Sequence, residues 1–139
     1  MQATPGGFAV TPSAFGSILV VEDDPAVRDL VAACLDMEGY TVEEAQDGAE
    51  AIDALNQQRR PLDPLQLVLL DMMLPDVDGL EVLRHWAVAG APVPVVAMSA
   101  NSQLLSAAMA AGAQAALAKP FDIQQLVAVV ERHRLPRSN

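Results

Sequence analysis

The sequence is short of cysteine, basic residues and long apolar runs, and each shortage removes a class of protein. A single cysteine, Cys34, excludes an internal disulfide framework and a cysteine-rich zinc site, and it fits a reducing, cytoplasmic setting. No apolar run reaches the roughly 18 residues that a membrane span needs. Residues 1–17 lack the basic start and continuous apolar block of a secretory signal. We therefore expect a cytoplasmic protein without a membrane segment.

Positive charge is also scarce and unevenly placed. The chain of 139 residues has 8 Lys and Arg against 18 Asp and Glu, a net charge of −10. Residues 22–81 hold 16 acidic and 3 basic side chains, whereas residues 82–139 hold 2 acidic and 5 basic ones. Direct binding to nucleic acid is disfavoured, because the phosphate backbone attracts basic patches. The only lysine, Lys119, stands in an apolar run and needs an explanation.

Apolar runs and helical spacing alternate five times along the chain. Residues 17–22 form a continuous apolar run, which is typical of a strand buried on both faces of a parallel sheet. Asp24 and Pro25 then supply a helix cap and a first-turn proline, and Gly39 ends that helix. The same order recurs, with further strands predicted at 40–45, 66–70, 94–98 and 114–118, and further helices at 47–58, 78–88, 101–111 and 122–134. A loop is predicted at 59–65.

This alternation favours a single α/β domain over residues 17–134, built on a parallel sheet with helices on both faces. Residues 1–16 are predicted to be a flexible N-terminal tail, and residues 135–139 a C-terminal tail. In open parallel sheets, ligands bind outside the carboxyl ends of the strands. The predicted strand ends carry carboxylates, one hydroxyl and one ammonium: Glu22, Asp23, Asp24, Asp71, Ser99 and Lys119.

Carboxylates gathered at one edge repel one another unless a cation lies between them. Mg²⁺ is a natural partner, since it uses one or two carboxylates together with water and phosphate oxygens. Such a site suits phosphoryl transfer, in which a carboxylate oxygen attacks phosphorus in line. Ser99 could donate a hydrogen bond to a phosphoryl oxygen, and Lys119 could offset its charge. Asp24 is interpreted as the helix cap rather than as a third ligand.

Four segments carry a resemblance to a known family. They are Ile-Leu-Val-Val-Glu-Asp-Asp-Pro (18–25), Val-Leu-Leu-Asp-Met-Met-Leu-Pro-Asp-Val-Asp-Gly (68–79), Val-Val-Ala-Met-Ser-Ala (95–100) and Ala-Lys-Pro-Phe (118–121). In this order and at these strand ends, they resemble the receiver domain of bacterial two-component response regulators. The resemblance covers about residues 17–134. It implies a flavodoxin-like, five-stranded parallel sheet in the order 2-1-3-4-5.

The resemblance also assigns roles. Asp71 would accept a phosphoryl group from a partner histidine kinase or phosphotransfer protein. Glu22, Asp23, Asp71 and the backbone carbonyl of Met73 would hold Mg²⁺. Ser99 would be the switch hydroxyl and Lys119 the cation that binds the phosphoryl group, with the Lys119–Pro120 peptide bond in the cis form. The chain would be a phosphorylation-dependent switch that catalyses only its own phosphorylation and dephosphorylation, and not an enzyme acting on other substrates.

The resemblance says less about how the switch would pass its signal to a partner. Family members usually carry an aromatic residue three positions before the lysine, where this chain has Ala116. The face formed by the fourth helix, fifth strand and fifth helix would bind a downstream protein or a second copy of the chain. The fourth helix carries no charge, however, and could equally be an alanine-rich helix selected for propensity.

Three alternatives compete with the switch. One is a receiver-like module that binds proteins without phosphorylation, which Ala116 leaves open. Another is a phosphatase with an aspartyl-phosphate intermediate. Such enzymes generally need an acid two residues after the nucleophile, and Met73 cannot act as one. A flavin-binding protein would need a phosphate-cradling loop after the first strand, where carboxylates stand instead.

Overall fold

The structure, a computed structural model, describes residues 16–56 and 65–136. Most of the predicted N-terminal tail, most of the predicted loop at 59–65, and residues 137–139 lie outside the described residues. Within them, strands and helices alternate as the sequence predicts. The strands are β1 (Ser17–Val21), β2 (Thr41–Ala45), β3 (Leu65–Asp71), β4 (Val95–Ser99) and β5 (Ala115–Ala118). The helices are α1 (Pro25–Met37), α2 (Gly48–Asn56), α3 (Gly79–Val88), α4 (Ser102–Ala110) and α5 (Ile123–His133).

All strand pairs are parallel, and the sheet has the order β2-β1-β3-β4-β5. The predicted fold class and strand order are therefore confirmed. The register aligns Val21 with Leu70, Asp71 with Met98, and Ser99 with Ala118. The carboxyl ends of β1, β3, β4 and β5 consequently meet at one edge of the sheet.

The sheet divides the core into two apolar layers, because successive side chains of a strand point to opposite faces. Leu19, Val68 and Leu70 face α2, α3 and α4. Ile18, Leu67 and Leu69 face α1 and α5. Since β1, β3 and β4 are covered on both faces, their sequences are continuous apolar runs rather than alternating ones.

Side-chain caps set the helix starts. The carboxylates of Asp24, Asp78 and Asp122 accept from backbone N–H groups of the first turns of α1, α3 and α5, and the Asn101 side chain does the same for α4. These caps satisfy donors that have no partner within their own helix. Gly39, with φ of +101°, follows α1 as predicted.

The start of the predicted C-terminal tail is hydrogen-bonded to the sheet. The N–H of Leu135 donates to the carbonyl of Gln66 on β3 (3.0 Å). Across residues 16–56 and 65–136, no helix has both the length and the apolar character to cross a bilayer.

Candidate phosphoryl-transfer site

Three carboxylates meet at the carboxyl edge of the sheet. Glu22 follows β1, Asp23 comes next, and Asp71 ends β3. One carboxylate oxygen from each lies within 4.8 Å of the other two. Glu22 and Asp71 are buried, whereas Asp23 is exposed. The three residues predicted to bind a metal through their side chains are thus brought together, with one carboxylate open to solvent.

Lys119 inserts its ammonium between two of these carboxylates. Its Nζ donates to Glu22 Oε1 at 2.6 Å and lies 3.4 Å from Asp71 Oδ2. The side chain is 24% exposed, so the charge is only partly screened by water. Residue 119 follows β5, and its peptide bond to Pro120 is cis, as expected. The single lysine therefore compensates carboxylates that lie 97 and 48 residues away in the sequence.

Burial and charge shift the protonation equilibria of this pair. The pKa of Glu22 is raised to about 7 as a net result: loss of water raises it most, the hydrogen bond from Lys119 lowers it, and the neighbouring Asp71 raises it. Burial by itself lowers the pKa of Lys119. The hydrogen bond to Glu22 and the negative charge of Asp71 outweigh that effect, so its net pKa is raised. Near neutral pH, Lys119 thus stays protonated, whereas the carboxylate of Glu22 is easily protonated.

Backbone hydrogen bonds fix the loops that carry the acids. The Asp24 N–H donates to Glu22 Oε2 (3.2 Å), and the Met73 N–H donates to Asp71 Oδ1 (3.0 Å). Each bond closes a short turn that sets the direction of its carboxylate. Met73 itself is exposed.

Ser99 lies at the end of β4, between the strands that carry Asp71 and Lys119. It is buried, and its Oγ accepts from the Asn101 N–H at 3.0 Å. Its backbone carbonyl accepts from the Lys119 N–H, also at 3.0 Å. The predicted hydroxyl is thus beside the site, and its proton remains available to donate. Ala116, at the position that is usually aromatic, is exposed on β5.

Two residues that hold the surrounding elements in place were not predicted from the sequence. Arg28 on α1 donates from Nη1 to the carbonyl of Glu22 (2.8 Å) and from Nε to Glu44 Oε1 (3.2 Å), so it ties α1, β1 and β2 together. Asp76 accepts from the first N–H groups of α2. Arg28 could have been singled out from the sequence, since it is one of only 3 basic residues in the acidic stretch 22–81. No sequence pattern pointed to Asp76, because its hydrogen-bond partners lie 28 and 27 residues away.

The donor set fits a magnesium ion. It consists of oxygens only, it includes one exposed carboxylate, and the cluster would carry more negative charge than one lysine offsets. Hard divalent cations prefer such ligands, and an open side leaves room for water and phosphate oxygens.

Comparison with known proteins gives a consistent result. The sequence profile of the family described as "Response regulator receiver domain" matches residues 18–131. "Response regulator MprA" of Mycobacterium sp. (strain KMS) is 41% identical over 113 residues, which are 80% of this chain and 47% of the relative. The protein of the same name from Mycobacterium avium (strain 104) is 42% identical over the same length. The chain thus spans about half the length of these relatives.

Solved structures agree in fold. The receiver domain of NtrX from Brucella abortus is 35% identical with a TM-score of 0.74, over 83% of this chain and 95% of that one. The chemotaxis protein CheY4 of Vibrio cholerae is 25% identical with a TM-score of 0.75, over 86% of this chain and 99% of that one.

Proposed function

This chain belongs to the family of response regulator receiver domains, and we propose from that premise that it is a switch phosphorylated on Asp71. Receiver domains of this family are signalling switches in two-component systems rather than enzymes acting on external substrates. The observation that carries the proposal is the meeting of Glu22, Asp23, Asp71 and Lys119 at one edge of the sheet. The donor would be a phosphohistidine of a sensor kinase or phosphotransfer protein.

The proposed step is a single in-line displacement. An oxygen of Asp71 attacks phosphorus, the bond from phosphorus to the histidine nitrogen breaks, and the imidazole leaves with the electron pair and takes up a proton. Lys119, 3.4 Å from Asp71 Oδ2, would offset charge on the phosphoryl oxygens. A Mg²⁺ ion held by Glu22, Asp23, Asp71 and the carbonyl of Met73 would supply further charge neutralisation and orientation.

The conformational response would begin at Ser99. Its hydroxyl can donate to a phosphoryl oxygen on Asp71, and such a bond would favour one of two conformations through contacts that exist in only one of them. The Asn101 N–H already links Ser99 Oγ to the start of α4. With Ala116 in place of an aromatic side chain, we propose that this backbone link transmits the change.

The output surface would be formed by α4, β5 and α5. Gln103, Ser106 and Ala110 of α4 are exposed, and the helix has no charged residue. Ala116 and Ala118 of β5 are exposed beside it. The uncharged exposed side chains of α4 and β5 support contact with a downstream protein or a second copy of the chain.

Phosphorylation with a small donor tests the proposal. We expect acetyl phosphate and Mg²⁺ to add one phosphoryl group per chain, measured by intact-protein mass spectrometry, and Asp71→Asn to abolish the addition. Asp53→Asn, at an exposed position of α2, is the matched control and should be labelled like wild type. Label retained on the Asp71→Asn protein would refute the acceptor.

The labelling experiment and an assay with phosphate monoesters together separate the alternatives. Repeated turnover of phosphate monoesters would indicate a phosphatase. A wild-type protein that takes no label would favour the module that binds partners without phosphorylation. Neither chelator-treated protein nor protein without donor should gain mass, and light scattering on the labelled sample should report any change in oligomeric state.

A further inference from the structure

The loop that follows the proposed acceptor is anchored to a helix that contributes nothing to the site. Residues 72–78 connect β3 to α3 and include Met73. At the start of the loop the Met73 N–H donates to Asp71 Oδ1 (3.0 Å), and at its end the Gly79 N–H donates to the Met72 carbonyl (3.2 Å). The middle of the loop lies against the N-terminus of α2.

Asp76 makes that contact. Its two carboxylate oxygens accept separately from the Gly48 N–H (2.8 Å) and the Ala49 N–H (3.1 Å). The hydrogen bond from Gly48 holds the pKa of Asp76 below its usual range, so the carboxylate is ionised at neutral pH. An anion at this place is also favoured by the partial positive charge of a helix N-terminus.

Packing at Gly48 supports the same contact. A Cβ built on Gly48 would lie 2.7 Å from Val77 Cβ and 2.9 Å from the Val77 carbonyl oxygen. A glycine is therefore required for the loop backbone to approach α2 this closely. The hydrogen bonds of Asp76 and the contact of Val77 together fix the loop between Pro75 and Asp78.

A second carboxylate caps the same helix and, among the described residues, forms no hydrogen bond to the loop. Asp47 Oδ1 accepts from the Glu50 N–H at 2.9 Å. Asp47 and Asp76 thus share the open N–H groups of α2, but only Asp76 connects them to the segment that carries Met73. The pair provides an internal comparison between capping a helix and positioning a loop.

We propose that Asp76 is a positioning residue: by holding residues 72–78 against α2, it fixes the Met73 carbonyl for the cation and raises the affinity of the acidic site for Mg²⁺. This inference rests on the proposed function for its use of Mg²⁺, although the anchoring of the loop does not. The hydrogen bonds of Asp76 go to Gly48 and Ala49 rather than to the acidic site, so it acts through the backbone of residues 72–75.

The test compares Asp76→Ala, Asp76→Asn and Asp47→Ala in the full chain without phosphodonor. Mg²⁺ binding is titrated through the NMR amide signals of residues 71–79. We expect Asp76→Ala to weaken Mg²⁺ binding about tenfold, near the lower end of losses seen when a group that orients a ligand is removed. Asp76→Asn keeps one acceptor oxygen and should recover part of the affinity. Asp47→Ala should stay within about twofold of wild type, although it removes a cap from the same helix.

Amide hydrogen exchange in metal-free protein gives an independent measurement. Exchange at Met73 and Gly79 should be faster in Asp76→Ala than in Asp47→Ala. Equal Mg²⁺ affinities for the two alanine variants, or equal exchange at these amides, would overturn the proposal. A wild-type protein that takes no phosphoryl group would instead refute the proposed function, and the exchange comparison would still decide the role of Asp76.

Discussion

Glu22 is a carboxyl group that folding removes almost completely from water, since it is 1% exposed. Its native pKa of about 7 lies above the reference value of 4.5, chiefly because of that burial. Between these values the native chain holds a proton that the unfolded chain has released. The stabilising contribution of this group is therefore complete below the lower value and is lost as the pH rises through the upper one.

The resulting prediction concerns Glu22→Gln in the absence of divalent ions. Between about pH 5 and about pH 8, wild type should lose more unfolding free energy than the variant, by at most about 3 kcal/mol. The glutamine oxygen can still accept from Lys119, so the variant should fold. Urea denaturation at the two pH values measures the difference. Parallel pH profiles for the two proteins would contradict the raised pKa.

Mg²⁺ should oppose that trend for wild type, because the ion binds the ionised form of Glu22. Its stabilising effect should be larger at about pH 8 than at about pH 6, and smaller at both values in Glu22→Gln. Ca²⁺-free buffer without Mg²⁺ is the control.

At the scale of single elements, α4 is a short helix with little buried surface of its own. It has 9 residues and no charge, and its only fully buried residue is Ala108. An isolated helix of this length is marginal in water. The Asn101 side chain accepts from the Gln103 N–H (2.9 Å) and the Leu104 N–H (3.1 Å), which closes the open end of the helix.

Replacing Asn101 with Ala should therefore loosen α4 locally. The cap is worth about 1 kcal/mol, so amide exchange in α4 should accelerate about fivefold. The link from the Asn101 N–H to Ser99 Oγ is made by backbone and should persist. α5, which keeps its own cap at Asp122, is the internal control. Equal acceleration in both helices would indicate global destabilisation and contradict a local role.

The elements themselves were the most predictable part of the molecule. Local sequence patterns predicted all five strands, Asp24 was correctly predicted as the cap of α1, and the helix starts predicted at residues 78 and 101 lie within one residue of those of α3 and α4. The assembly of Glu22 with Lys119 was predictable because parallel strands end at one edge. The contacts of Arg28 with Glu44 and of Asp76 with Gly48 were not, since they depend on how loops pack between elements.

At the scale of the whole molecule, the two apolar layers share one sheet. Trp86, the only tryptophan, is buried in the layer beneath α2, α3 and α4, where its Nε1 donates to the Val93 carbonyl at 2.6 Å. Leu126 of α5 is buried in the opposite layer. Since β1, β3 and β4 contribute side chains to both layers, loss of packing on one side should weaken the other.

Leu126→Ala tests this coupling, because its effect must cross the sheet to reach Trp86. Truncating a buried leucine costs about 2–5 kcal/mol, and we expect the urea midpoint of Trp86 fluorescence to fall together with the midpoint of far-UV circular dichroism. Leu30→Ala, at an exposed position of α1, is the matched control and should change the unfolding free energy by less than about 1 kcal/mol. A Trp86 transition that keeps its wild-type midpoint while circular dichroism shifts would show that the two layers unfold separately. A shared shift would mean that the two layers unfold as one cooperative unit.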